Sequence, residues 1–497
     1  MARQIVKLVK ETAIYGVSSI LGRFLNWCLV PLYAYILTNT ADYGAVTNLY
    51  SWTALLLVIL TYGMETGLFR FANKQEENAE TVYSSTLISV GSTSLLFAMI
   101  ALFFAQSIAN GMGYGSHPEY IVMLGITVAM DAFGAIPFAY LRYKNRPYVF
   151  AGLKFAMVII NIFLNLFFLL ACPWLHTHAP SSVDWFYKPD YGVGYIFVAN
   201  VISSAAVTLF LLPYIIKVKW KLDRALLKRM LAYSLPLLLL GIAGIMNQTI
   251  DKILFPAIYP DRSEAMRLLG IYGANSKIAM VMMMFTQAFR FAYEPFIFAQ
   301  HKDAKSKEAY SDAMKYFVIF SLLLVLSMSF YIDILKYIIG PEYRQGLSVV
   351  PIILVSYLFQ GVFFNLSLWY KLIDKTIWGA YLSGIGFVVT LLLNILLVPT
   401  LGYFGSAWAA FVAYFLIMLL SYFIGQKYFP INYQLKLIGK YTLLAAVLFC
   451  LGWLVDFRST PVDMLFRTLL LIAFLYYMVR CDFPLSKIPY INRFFKK

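Results

Sequence analysis

The segment FTQAFRFAYEPF, residues 285–296, sets Gln287, Arg290 and Glu294 at i, i+3 and i+7, on one face of a helix. Its surroundings are apolar: IAMVMMM precedes it and IFA follows. Arg23, Glu65, Asp131, Lys154, Asp251, Lys252, Lys277 and Arg467 lie in similar settings. The chemistry these side chains offer is electrostatic. A guanidinium donates two parallel hydrogen bonds to phosphate oxygens. An intramembrane carboxylate takes up a proton or pairs with a cation. No Gly-Lys-Ser/Thr phosphate loop, HExxH or GxSxG motif occurs, so no ATPase or hydrolase is written locally, and no cofactor is called for. Cys28, Cys172, Cys450 and Cys481 fit neither a disulfide framework nor a zinc site. His176 and His178 are read as loop residues rather than as a metal site.

The elements that carry these charges are membrane spans. Of 497 residues, 61% are hydrophobic and 13% charged, and mean hydropathy is +0.73. Soluble domains carry about a quarter charged residues. Apolar runs of about 20 residues, the length a bilayer demands, recur from end to end. Fourteen spans are expected: 13–37, 43–68, 82–109, 120–141, 148–172, 191–216, 230–257, 268–299, 316–338, 347–370, 377–398, 404–425, 437–455 and 463–480. No cleavable signal peptide is evident, because residues 1–12 are polar and basic.

The net charge of +16 is not read as a nucleic-acid footprint, because of where it lies. With cations at span ends counted in their loops, the N-terminus, even-numbered loops and C-terminus hold 28 Lys and Arg, against 6 in the odd-numbered loops. The positive-inside rule then places both termini in the cytoplasm. The most basic loop, KVKWKLDRALLKR at 217–229, is read as a topology determinant near anionic lipid.

The chain also repeats itself. N165-LFFLLACP-173 is followed, after an insertion, by YGVGYIFVAN. N394-ILLVP-399 is followed by LGYFGSAWAA. DYGAVTNLY at 42–50 matches IYGANSKIA at 271–279, and each tyrosine precedes a glutamate, Glu65 or Glu294, by 22 residues. The expected architecture is therefore all-α and polytopic, with two parallel six-helix halves around a central cavity. The halves are residues 1–216 and 230–425, with a basic cytoplasmic linker at 217–229 and two further helices with a basic tail at 426–497.

KETAIYGVSSILGRFLNWCLVPLYAYILT, DYGAVTNLY, AFRFAYEPFIFA and NILLVPTLGYFGSAWAA together resemble the polysaccharide-transport, or oligosaccharide flippase, family. Its superfamily also holds multidrug and toxin extrusion transporters and lipid II flippases. The resemblance implies a transporter rather than an enzyme, in the bacterial inner membrane, working by alternating access. It implies movement of undecaprenyl-diphosphate-linked sugar units to the periplasmic leaflet for surface polysaccharides such as O-antigen or capsule. Implied partners are that lipid-linked oligosaccharide, membrane lipids and other polysaccharide-assembly proteins. Related lipid II flippases carry cavity-facing arginines in spans 1 and 8, where Arg23 and Arg290 stand here. The alternative is a cation-coupled multidrug exporter of the same fold, for which an acidic or aromatic cavity is expected.

Depth sorts the charges. At 1.5 Å per residue, Arg23 lies roughly 15 Å into span 1, with Asn26 one turn on. Lys277 lies at similar depth in span 8. Arg23, Asn26, Lys277 and Arg290 are the expected substrate contacts. Glu65 and Arg70 with Glu294 are the expected cytoplasmic gate. Asp131 and Asp251 are the candidates for ion coupling. Lys154 and Arg467 stand near span ends and are expected to snorkel to the interface. A reporter fused at Lys497 should be active only in its cytoplasmic form; periplasmic activity would overturn the topology.

Overall fold

The computed structural model describes the backbone of residues 16, 18, 20–74, 77–300, 306–373, 375–455, 457 and 459–482, and their side chains except at 294–300 and 306. Among the described residues, besides short helices such as Ala105–Met112 and Ile332–Leu335, fourteen longer helical segments run in order. They are α1 (Ile20–Ile36), α2 (Thr40–Ala72), α3 (Ala79–Phe103), α4 (Pro118–Tyr143), α5 (Pro147–His178), α6 (Pro189–Ile216) and α7 (Arg224–Ile258). They continue with α8 (Arg262–Gln300), α9 (Lys307–Phe330), α10 (Pro341–Leu372), α11 (Ile377–Leu401), α12 (Tyr403–Tyr428), α13 (Leu435–Leu454) and α14 (Thr460–Cys481). All but α1 are, as described, long and apolar enough to cross a membrane. The chain is a multi-pass, all-helical membrane protein.

Local chemistry starts the helices. The Asn39 carboxamide accepts from Ala41 N at 3.1 Å, that of Asn78 from Glu80 N at 2.9 Å, and the Asp223 carboxylate from Leu226 N at 2.9 Å. Each satisfies an otherwise orphaned N–H at a helix start. Pro118 and Pro147 open α4 and α5, where the missing donor costs nothing. One expected span is interrupted. α2 breaks at Tyr62 (φ 32°) and Gly63 (φ 72°), both left-handed, and restarts at Met64 with Glu65 in its first turn. The break is held by a 2.6 Å hydrogen bond between the Tyr62 and Ser89 hydroxyls.

Contacts divide the chain into two compact units, Met1–Gly273 with Ser383–Gly402, and Ala274–Leu382 with Tyr403–Lys497. In the first, α3 packs on α4, α6 on α4 and α5, and α7 on α2. The two copies of the Tyr-Gly motif meet there. A Cβ on Gly44 would overlap the Met266 carbonyl oxygen, one on Gly270 that of Thr40, and one on Gly273 the Thr47 hydroxyl. The glycines thus let α2 and α8 cross backbone to backbone, as small residues do in membranes.

The repeat asparagines also prove equivalent. Asn165 and Asn394 are fully buried. Each donates 2.8 Å to the carbonyl four residues before it, of Asn161 and Thr390. Each of those residues then reaches another helix: Asn161 donates to Asn200 at 2.9 Å, and Thr390 to Asn247 at 2.7 Å.

In the second unit α10 packs on α12, and the two appended helices, α13 and α14, both pack on α9. Arg467 of α14 is not a snorkelling residue. It donates to Asp333 at 2.8 Å and to the Gly452 carbonyl at 3.1 Å, tying α14 to α13 and to the segment after α9.

Gly270→Val should lower the melting temperature by overpacking the crossing, at a cost of about 1–3 kcal/mol. Gly152→Ala, where a Cβ meets nothing within 4 Å, should be silent. Equal melting of both variants would show that the crossing can open freely.

Candidate functional site

Two charge clusters occupy opposite ends of the first unit. At the end that carries the basic loops, Arg142 donates to Glu65 at 2.9 Å. Its guanidinium also lies 5.3 Å from the Phe69 ring centroid. The break at Tyr62–Gly63 is what starts a fresh helical turn at Glu65. Deeper in, Asp131 accepts from the Ser204 hydroxyl at 2.7 Å. The Lys154 ammonium lies over the Phe138 ring at 4.1 Å and attracts both Asp131 and Glu65. Lys154 therefore stays inside the bundle rather than snorkelling outward. Arg70, the other expected gate cation of this unit, lies over the Tyr233 ring at 4.1 Å.

At the opposite end Asp251 is 5% exposed. Adjacent side chains on a helix do not normally face each other. Here the long Lys252 arm folds back and donates to Asp251 at 2.8 Å, while the Tyr272 hydroxyl donates to the same carboxylate oxygen at 2.8 Å. The other oxygen, Oδ1, is buried with no hydrogen-bond partner among the described residues. Asn48 fixes the cluster from α2, donating to the Lys252 carbonyl at 2.8 Å and accepting from Tyr114 at 3.0 Å. The arrangement can hold a negative charge in a dry site and leaves one oxygen to accept a proton or contact a cation.

Arg23 and Asn26 are both exposed on α1. Among the described residues the Arg23 guanidinium makes no hydrogen bond or ion pair. In the second unit Lys277 and Arg290 are half-buried on α8, and Arg290 lies 4.6 Å over the Phe364 ring. The Glu294 side chain lies outside the described residues. His176 contacts Asp184 at 2.6 Å, whereas His178 stacks on Trp174, so the two imidazoles turn to different partners. Among the described residues no group of three or more His, Cys, Asp and Glu could hold a metal ion.

The second unit also contains a groove of about 850 Å³ between α9, α10, α12 and α13. Leu322, Val355, Phe359, Phe415, Phe449 and Trp453 are among its lining, which is nearly all carbon. Its α13 wall comes from the helix pair appended to the two halves.

Arg142, Tyr272 and Asn48 had not stood out in the sequence. Arg142 reads there as one more loop cation. Tyr272 carries a signal in hindsight, since it lies 21 residues from Asp251 at a matching depth on the next span.

Tyr272→Phe removes a donor from a buried carboxylate and should lower the melting temperature in the native background. The same change in Asp251→Asn should cost far less, giving a coupling of roughly 0.5–3 kcal/mol. Additive effects would mean that the hydrogen bond contributes nothing.

Comparisons with known proteins agree with this architecture. The computed fold resembles that of the lipid II flippase MurJ in an inward closed conformation, at a TM-score of 0.72 and 15% identity over 94% of this chain and 99% of that one. It resembles an inward-facing multidrug resistance MATE family transporter of the MOP superfamily at 0.61 and 15% identity, over 80% and 97%. It resembles the MATE multidrug transporter DinF-BH at 0.58 and 16% identity, over 84% and 94%. Among curated proteins no sequence matches. The MatE family model matches residues 267–396. The polysaccharide biosynthesis protein family model matches residues 8–301, more than half of the chain, and the chain belongs to that family.

Proposed function

We propose that the protein is a flippase that carries undecaprenyl-diphosphate-linked oligosaccharides across the bacterial inner membrane by alternating access. The observation that carries this reading is the apolar groove between α9, α10, α12 and the appended helix α13. A long polyprenyl tail must stay out of water while its head group crosses, and a carbon-lined groove bordered by α9 and α13 gives it a track. The multidrug transporters reported above match 80% and 84% of this chain and the lipid II flippase 94%.

The diphosphate carries the charge that makes crossing costly, since an unpaired anion in low dielectric is strongly disfavoured. Arg23, Asn26, Lys277 and Arg290 are its contacts. Arg23 is suited to this because its planar fork matches phosphate oxygens and no acid in the described residues neutralises it. Glu65 and Arg70 are the gate residues of the first unit. The hydrogen bond from Arg142 then belongs to the gate as well, because it fixes where the Glu65 carboxylate stands. Asp131 and Asp251 are the ion-coupling candidates, Asp251 having a buried carboxylate oxygen with no hydrogen-bond partner among the described residues. Export of organic cations by the same fold is disfavoured by the cationic character of Arg23, Lys277 and Arg290.

Purified protein in liposomes should move a fluorescent polyprenyl-diphosphate sugar between leaflets. Arg23→Ala should slow this about tenfold or more, since a charge-assisted hydrogen bond contributes roughly 1.5–3 kcal/mol. Ala445→Trp, which fills the groove, should slow a long-chain substrate more than a short-chain one. Absence of flipping, combined with uptake of an organic cation, would establish the exporter instead.

A further inference from the structure

A second cavity lies in the first unit at the end opposite the basic loops. It measures about 440 Å³ and is lined by Phe168, Phe186, Lys188, Tyr191, Tyr195 and Val198. The local fold builds it. α5 passes through a π-helical turn at Phe167–Ala171 before Pro173, and such turns re-aim side chains, often at functional sites. The following loop is anchored by buried Val183 and Tyr187, and the Lys188 N–H donates to the Tyr195 hydroxyl at 2.6 Å. Phe168 stacks on Tyr195 with centroids 5.0 Å apart, and Tyr191 meets Tyr195 edge to face at 5.1 Å. A Cβ on Gly194 would overlap the Tyr191 ring, so glycine is what lets that ring lie down on α6.

An interfacial aromatic belt accounts for Trp174 and Trp185, which are 59% and 81% exposed. It does not account for rings turned inward. Phe168 and Tyr195 are buried, yet they border a space many times a water's roughly 30 Å³ and within the range of ligand pockets. The polar groups at this space are few. Lys188 is exposed, and the Tyr191 hydroxyl makes no hydrogen bond among the described residues. Flat aromatic faces suit the C–H face of a pyranose. A single ammonium beside them suits a carboxylate on the same sugar.

We propose that this cavity is a binding site for an acidic pyranose, a sugar unit bearing a carboxylate, on the outer side of the membrane. The proposal rests on the flippase reading, which puts an oligosaccharide on that side once it has crossed. The Phe186 and Tyr191 rings hold the sugar face, Phe168 and Tyr195, the latter stacked on both faces by Phe168 and Tyr187, give the cavity its packed wall, Lys188 pairs with the carboxylate, and the Tyr191 hydroxyl meets a sugar hydroxyl.

The test uses the full chain in detergent and follows the fluorescence of Trp185, whose ring packs against Phe186 at 4.7 Å. The probe is an oligosaccharide of alternating glucuronic acid and N-acetylglucosamine, with an N-acetylglucosamine trisaccharide as the neutral comparator. A saturable change that Trp185→Phe abolishes is expected with the acidic probe. Lys188→Gln should weaken the acidic probe about tenfold and leave the neutral one unaffected. Tyr191→Ala should weaken both. No saturable change, or binding unaltered by Lys188→Gln and Tyr191→Ala, would overturn the site. Neutral sugar bound as tightly as acidic would overturn the acidic class. Flipping is measured on the same variants reconstituted in liposomes. Intact flipping without sugar binding overturns this site alone, and sugar binding without flipping overturns the transport reading alone.

Discussion

Hydrocarbon offers a polar side chain nothing to bond to, so each one within a span persists only where the protein supplies a partner. Most of the structure answers to that constraint. Asp251 draws on the neighbouring Lys252 and on Tyr272 from the next helix. Asp131 takes a hydroxyl from Ser204. Arg467 takes Asp333 and a backbone carbonyl. Asn165 and Asn394 turn back on their own helices, using carbonyls that are already close by. Each of the first three solutions also joins elements together: α7 to α8, α4 to α6, α14 to α13. The polar groups therefore specify which helices are neighbours, a task that apolar surface performs poorly inside a lipid that is equally apolar.

Backbone chemistry completes the specification. Gly44, Gly270 and Gly273 bring α2 and α8 closer than any side chain would allow. Further along α2, Tyr62 and Gly63 take left-handed conformations, which for tyrosine is unfavourable. The surroundings hold it there through Ser89, and the result is a helix start at Met64. A strained residue beside an intramembrane acid is the kind of place where a change of conformation costs little, because the strain is released when the segment moves.

Much of this was legible in the sequence. Hydropathy located the spans, because bilayer thickness sets a length that few other constraints imitate. The repeat signatures pointed to residues that carry packing, Asn165 and Asn394 with the same local hydrogen bond and Gly44 and Gly273 at the α2–α8 crossing. What hydropathy reports is depth, and the misreadings follow from that. Lys154 and Arg467 stood near span ends and looked free to snorkel, yet Phe138 and Asp333 hold them inside. Asp251 and Lys252 looked too close in sequence to pair, because helical spacing describes where Cβ atoms point and not where a four-carbon arm can fold. The break in α2 was hidden because Tyr62 is not a residue that announces a left-handed turn. The partners of Glu65 and Asp251, Arg142 and Tyr272, depend on the rotation of each helix about its axis, which apolar surroundings on all sides leave undefined.

The same accounting bears on the substrate. Glu65 with Arg142, and Asp251 with Lys252, are acids and bases that balance within the first unit. Arg23 is not balanced in that way: it is exposed and has no acid beside it among the described residues. Arg290 lies over the Phe364 ring, which covers one face of its guanidinium. A cation held within hydrocarbon without a counter-charge costs several kcal/mol unless something transient neutralises it. In the proposed function a diphosphate would neutralise it and be neutralised in turn, each partner removing the other's penalty while they are together. An organic cation would raise both penalties. Under the proposed function, that asymmetry is the reason an anionic substrate suits Arg23 and an organic cation does not.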